Sequence, residues 1–221
     1  MKIKSKEELI DNLTADLAWR KKELTTLYNN VETANSKNLP TALRCASVLL
    51  YAHWEGFVKN SAESYLTYIK FQKLNLNQVN SNILALSLKQ KISEFSITNK
   101  ATLHVKFIDF FQNNLNEKAS FSETDSIKTQ SNLNSNILKE IFTTIGLDIT
   151  NYDLKSNLID KQLIKYRNDI AHGNQPPLNK QEYKILHGEI ITMLDNIHTD
   201  ISNSAVLDKF KKTIQIINEI N

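Results

Sequence analysis

The sequence predicts an all-α protein, and three observations carry that prediction. Its 221 residues include only 4 Gly and 3 Pro, too few punctuators for the turns of a loop-rich β fold. Apolar residues recur at three-to-four spacing along most of the chain, the period of a helix with one buried face. No stretch alternates apolar and polar residues as a half-buried strand does, and there is no internal repeat. The length allows one good-sized core or two small ones, and we read residues 1–221 as one helical domain of about six to eight helices.

Ser5 and Glu8 form a capping box that opens the first helix. Leu9, Leu13, Leu17, Leu24, Leu27 and Val31 continue it as an apolar stripe, and Arg20-Lys21-Lys22 reads as a solvated face. Pro40 stands near a first helical position, and from Thr41 a long helix runs to about Lys73. Between Leu43 and Phe57 that helix is apolar on most sides, which marks it as central and buried. Cys45 and His53 read there as core residues. Glu55 at such depth must be paired or protonated, with Arg20, Arg44 or Arg167 as candidate partners.

After a polar linker at 75–82, Ile83 to Phe95 suggests a short helix, and the chain restarts at Thr98-Asn99. Val105, Phe107, Ile108, Phe110 and Phe111 mark another helix, its Phe cluster expected in the core or partly at a dimer surface. The stretch 112–130 is polar, carries few apolar residues, and reads as a mobile loop. Asn134-Ser135 opens a helix that Gly146 ends. Leu154, Leu158, Ile159, Leu163 and Tyr166 space out the next helix, closed by Gly173 and Pro176-Pro177. Asn179 with Glu182 opens another, running to Ile201, and Leu207, Phe210, Ile214 and Ile217 suggest a last one.

The stretch Tyr166-Arg167-Asn168-Asp169-Ile170-Ala171-His172-Gly173 is where chemistry is expected. It places Arg167 in the last turns of a helix and His172 at its end, against the partial negative charge of unpaired carbonyls. Asn168 and His172 are i,i+4 and share a face. Arg167 and His172 are i,i+5, roughly 140° apart at 3.6 residues per turn, so one helix does not easily aim both at one phosphate. A frayed helix end or a second copy of the motif would resolve this. An imidazole that can carry a proton, beside a guanidinium that can fork onto a phosphate, is what RNA cleavage without a metal requires. On spacing alone, an Arg and a His at a helix end are more often surface residues satisfying the dipole and the last carbonyls.

Arg167-Asn168-x3-His172-Gly173, near the penultimate helix of an all-helical chain, resembles the HEPN family (higher eukaryotes and prokaryotes nucleotide-binding). The stretch Leu49-Leu50-Tyr51-Ala52-His53-Trp54-Glu55-Gly56-Phe57-Val58-Lys59 is similar to the early helix of a HEPN subgroup from bacterial toxin and anti-phage defence loci. Ser131-Asn132-Leu133-Asn134 and Ile145-Gly146-Leu147-Asp148 add to that likeness. The resemblance implies a helical bundle with additional helices, a homodimer with two facing motif copies, and metal-independent endoribonuclease activity. By position it assigns Arg167, Asn168 and His172 as site residues; Glu55 and Asp169 stand beside them as supporting candidates on this chain's own residues. Some HEPN toxins carry, two places after the His, a Tyr that a partner enzyme modifies. Asn174 stands there in this chain, which argues against that mode of neutralisation.

Composition excludes several other classes. A net charge of +3 is only mildly basic and does not by itself indicate nucleic-acid binding. The single cysteine forbids an intramolecular disulfide and a cysteine metal site. There is no Gly-rich phosphate loop and no His-Glu-x-x-His, so neither cofactor nor metal is expected. The basic N-terminal residues lead into Glu7-Glu8 rather than an apolar run, and no stretch approaches the roughly 20 residues of a membrane span, so a cytoplasmic protein is expected. The expected partners are RNA, a second copy of the chain, and an antitoxin or other protein from the same locus. The rival expectation is a non-catalytic HEPN module that binds nucleotide, RNA or a partner protein within a defence complex.

Overall fold

The computed structural model describes residues 2–97 and 99–213. Three long helices make the frame: α1 (Lys6–Thr33), α2 (Leu39–Phe71) and α11 (Lys180–Val206), each packed on the other two. Local chemistry sets their starts. Ser5 Oγ accepts the Glu8 amide at 3.2 Å, Pro40 occupies the first turn of α2, and Asn179 and Glu182 cap each other's backbone at the head of α11. Packing sets their faces. Leu9, Leu13, Leu24 and Val31 of α1, Leu50, Trp54, Phe57 and Leu66 of α2, and Leu186, Ile190, Leu194 and Ile197 of α11 are sealed in one continuous core.

Shorter helices flank this frame: α3 (Ser81–Ser87), α4 (Lys89–Ile97), α5 (Ala101–Asn113), α6 (Glu123–Ser126), α7 (Ser135–Ile145), α8 (Thr150–Asp153), α9 (Ser156–Leu158) and α10 (Ile164–Ala171). Among the described residues there is no strand, only two isolated bridges, and eight of the eleven helices have seven residues or more. Asn134 caps α7 through the Ile137 amide, and Gly146 ends it at φ +73°, as the sequence predicts. No helix of the described residues is long and apolar enough to cross a membrane, and they contain no group of three His, Cys, Asp or Glu able to hold a metal ion.

Five expectations change. The Phe cluster is not in the core: α5 buries none of its residues, and Phe95, His104 and Phe107 instead form an aromatic seam between α4 and α5. Cys45 is exposed, on a side of α2 that faces an open groove rather than a packed helix. Arg20 is 5 % exposed rather than solvated. The stretch 112–130 does pack: Phe121 and Ile127 reach the core, and its backbone pairs with 74–76 through Leu76 N–H to Glu117 O and Ala119 N–H to Leu74 O. Leu207 to Phe210 form a turn rather than a helix. Asp208 lies in the left-handed region at φ +53°, which swings Phe210 back against the edges of Tyr65 and Tyr68. Ile214 and Ile217 lie outside the described residues.

Candidate functional site

The motif sits at the end of a helical run with an irregular middle. From α9 the chain passes through a π turn, Ile159–Leu163, directly into α10, with right-handed helical angles at both junctions. The Ile164 amide reaches back five residues to the Ile159 carbonyl. Ile159, Leu163 and Ile164 are buried against the core, whereas Leu154 is 82 % exposed and precedes the run rather than joining its stripe. Asp160, inside the π turn, accepts from Ser135 N–H at 2.9 Å and Ser135 Oγ–H at 2.6 Å, so the motif helix is tied to the head of α7.

At the other end, His172 donates its amide to Asn168 O, Gly173 to Ile170 O and Asn174 to Asp169 O. Gly173 adopts φ +81°, a conformation that a Cβ would strain even though nothing crowds the position. The helix therefore ends where the sequence places its end.

Arg167 is held from three sides. Its Nη1 donates to Asn168 Oδ1 at 2.7 Å and its Nη2 to Ser131 O at 2.8 Å. Its guanidinium carbon lies 4.7 Å from the centre of the Tyr51 ring. Tyr51 is itself buried, and its hydroxyl accepts the Leu133 amide at 2.7 Å. Burial, with the Glu55 charge adding to it, pushes the Tyr51 phenol up to about 12, so it stays neutral near pH 7. Gln130 and Ser131 both take left-handed angles, φ +54° and +56°, which turns the Ser131 carbonyl toward Arg167.

Of the residues singled out from sequence, the fold brings Arg167 and Asn168 together. It leaves His172 exposed at the helix end, with no side-chain hydrogen bond or ion pair among the described residues. Asp169 is half-buried, and its carbonyl closes the turn to Asn174. The π turn lies upstream of both Arg167 and His172, so their i,i+5 separation is unrelieved within one chain. Glu55 departs from expectation: it is half-buried, carries no ion pair to arginine, and lies beside the Tyr51 phenol. The deeply buried charge is Arg20, whose Nε meets Asp16 Oδ1 at 3.0 Å, leaving no call on Glu55. His53 is a core histidine as read. Its Nε2 lies 2.7 Å from Glu23 Oε2, and burial lowers its pKa against the pull of that carboxylate. Tyr51 and Ser131 were missed as site residues. The available signal was a tyrosine in a helix apolar on most sides, which needs a partner for its hydroxyl.

Beside the motif runs an uncovered groove of about 450 Å³, walled by Arg44, Cys45, Val48 and Leu49 of α2 and by Ile170 and Gly173. Leu49 is 37 % exposed there.

The comparisons bear on this geometry. A family model described as RiboL-PSP-HEPN matches residues 15–203. No curated protein and no solved structure matches the chain. The matched span holds α1 from Ala15 onward, all of α2 with the Tyr51–Glu55 stretch, the Arg167–His172 motif and nearly all of α11. The chain therefore belongs to the HEPN family, in its RiboL-PSP-HEPN branch.

Proposed function

We propose that this protein is a metal-independent endoribonuclease, serving as a toxin or anti-phage effector, and that it works as a homodimer. HEPN domains are typically ribonucleases or nucleotide-binding modules. The observation that carries the catalytic reading is a pre-oriented Arg167 at the same helix end as an unencumbered His172. The RNA 2′-oxygen attacks its adjacent phosphorus, and the bond from phosphorus to the 5′-oxygen breaks. A base takes the 2′-hydroxyl proton, and an acid delivers one to the leaving 5′-oxygen. The products are a 2′,3′-cyclic phosphate and a 5′-hydroxyl. His172 supplies one of the two proton transfers, a role worth roughly 10²–10⁴-fold. Arg167 binds the phosphate and offsets charge in the transition state, and Asn168 orients it through Nη1. Asp169 and Glu55 support from the backbone turn and from beside Tyr51.

A second copy across a twofold axis would supply the other His172. The groove of Cys45, Val48, Leu49 and Ile170 supports that arrangement, because it is apolar, uncovered and adjacent to the motif. A protein from the same locus would act as the antitoxin.

One observation counts against phosphate binding by Arg167 and so favours the rival in its protein-binding form, a non-catalytic module that binds a partner protein. Both terminal nitrogens of Arg167 already have acceptors within the chain, as in a purely structural arginine. Incubation of the purified protein with RNA in EDTA separates the two. Cleavage that needs the 2′-hydroxyl at the scissile nucleotide, and that is lost in His172→Ala and severely impaired in Arg167→Lys, supports the nuclease. Cleavage of DNA, dependence on added metal, or full activity in His172→Ala refutes it and puts the binding module first.

A further inference from the structure

We propose that Tyr51 is a positioning residue for Arg167, the centre of a clamp that joins α2, the 130–133 turn and the motif helix. The kinetic part of this inference rests on the ribonuclease reading; the structural part does not. Arg167 is one of only three arginines in the chain, and its side chain is not left to solvent. The Tyr51 ring supports one face of the guanidinium at 4.7 Å. The Tyr51 hydroxyl holds the Leu133 amide, which anchors the turn whose Ser131 carbonyl takes Nη2. Two consecutive residues in left-handed angles, Gln130 and Ser131, are the conformational cost of aiming that carbonyl. One aromatic side chain thus acts on the arginine twice, through its face and through the turn that its hydroxyl secures. Tyr51 is almost wholly buried and stays a neutral phenol, so it touches no substrate and works through Arg167 alone.

A guanidinium held in this way approaches a phosphate with little rotamer freedom left to lose. Removing the aromatic face should therefore slow cleavage roughly tenfold, the scale of a partly desolvated cation–π contact. The effect should vanish once the arginine is gone, because interaction through a shared partner is non-additive.

The test is a double-mutant cycle on RNA cleavage with Tyr51→Leu, Arg167→Ala and their combination. It is paired with ¹⁵N relaxation of the arginine Nε groups, whose three resonances are assigned by substitution. The expected result is a tenfold loss in Tyr51→Leu, no further loss when it is added to Arg167→Ala, and increased motion of the Arg167 Nε alone. Tyr51→Phe, which keeps the ring and releases Leu133, should give a smaller version of both changes and serves if Tyr51→Leu does not fold. Additive losses in the cycle, or an Arg167 Nε as rigid in Tyr51→Phe and Tyr51→Leu as in the parent, overturn the clamp. A parent protein that cleaves no RNA defeats the ribonuclease reading instead, and the relaxation measurement then decides the clamp by itself.

Discussion

Gly56 lies in the interior of α2, where glycine should be a liability, and Gly56→Ala tests why it is there. In an ordinary helix interior the change would stabilise by about 0.8–1 kcal/mol. Here an added Cβ would stand 2.7 Å from Arg20 Nη1, 3.2 Å from Nη2 and 3.3 Å from Cζ. The guanidinium is the tip of a long side chain, but it is not free to step aside. Its Nε is paired with Asp16 at 3.0 Å, its Nη1 reaches His53 O at 3.4 Å, and it lies over the Trp19 ring at 4.6 Å. Loosening hydrogen bonds to a charged group costs about 1.5–3 kcal/mol. Set against the propensity gain, Gly56→Ala should destabilise by about 1–2 kcal/mol. In an Arg20→Ala background the obstruction is gone, and the same substitution should stabilise by about 0.8–1 kcal/mol. Urea unfolding of the four proteins of this cycle measures both numbers. Stabilisation by Gly56→Ala in the parent protein, or the same sign in both backgrounds, would refute the argument that Arg20 occupies the place of a side chain at 56.

Two further outcomes are expected. Leu49→Glu puts a charge into the groove beside the motif and should convert the proposed dimer to monomer and abolish the proposed cleavage; light scattering that shows an unchanged dimer would refute this groove as the interface. Burial lowers the pKa values of His53, His187 and His198, so below about 6.5 the unfolded chain binds more protons than the folded one, and stability falls as pH drops from 7 through the folded-state values. Urea midpoints measured between pH 7.5 and 5.5 should show that fall, and His187→Gln should reduce it.

What the sequence made legible was local. Ser5, Asn134 and Asn179 cap helices through amides three residues away, and Gly146 and Gly173 end helices by their own backbone angles. Those signals need no tertiary partner, and the structure follows each. Faces of long helices were harder, because a charged residue on an apolar stripe has two readings. Arg20 stands three residues after Leu17 and four before Leu24, in line with the stripe, and its neighbours Lys21 and Lys22 made it look solvated. Once Arg20 is placed inside with Asp16, Glu55 loses the reason to be buried with it. The clamp on Arg167 was least legible. Tyr51 and Leu133 are 82 residues apart, and nothing in either stretch names the other. The motif could be found from its own residues, but what holds it could not.

The π turn upstream of the motif is the part no 3.6-residue pattern could reveal, and it has a consequence that can be measured. A π turn takes up one extra residue while leaving the helix on either side facing as before. Ile159 opens the turn and Leu163 closes it, and both are buried, as is Ile164 directly after it; an uninterrupted α-helix would set Ile164 roughly 140° from Ile159. Deleting the exposed Lys161 should therefore restore an ordinary α-helix, leave Arg167 aimed at Tyr51, and cost under about 1 kcal/mol, since backbone hydrogen bonds are kept throughout. Deleting the equally exposed Lys165, within α10, should rotate everything after it by about 100° relative to the core. That deletion turns Arg167 away from Ser131 and Tyr51, and it should abolish the proposed ribonuclease activity and lower the melting temperature sharply. Thermal melts and the RNA cleavage assay on the two deletions distinguish these outcomes. If the Lys161 deletion is the damaging one and the Lys165 deletion is benign, the π turn does not set the register of the motif.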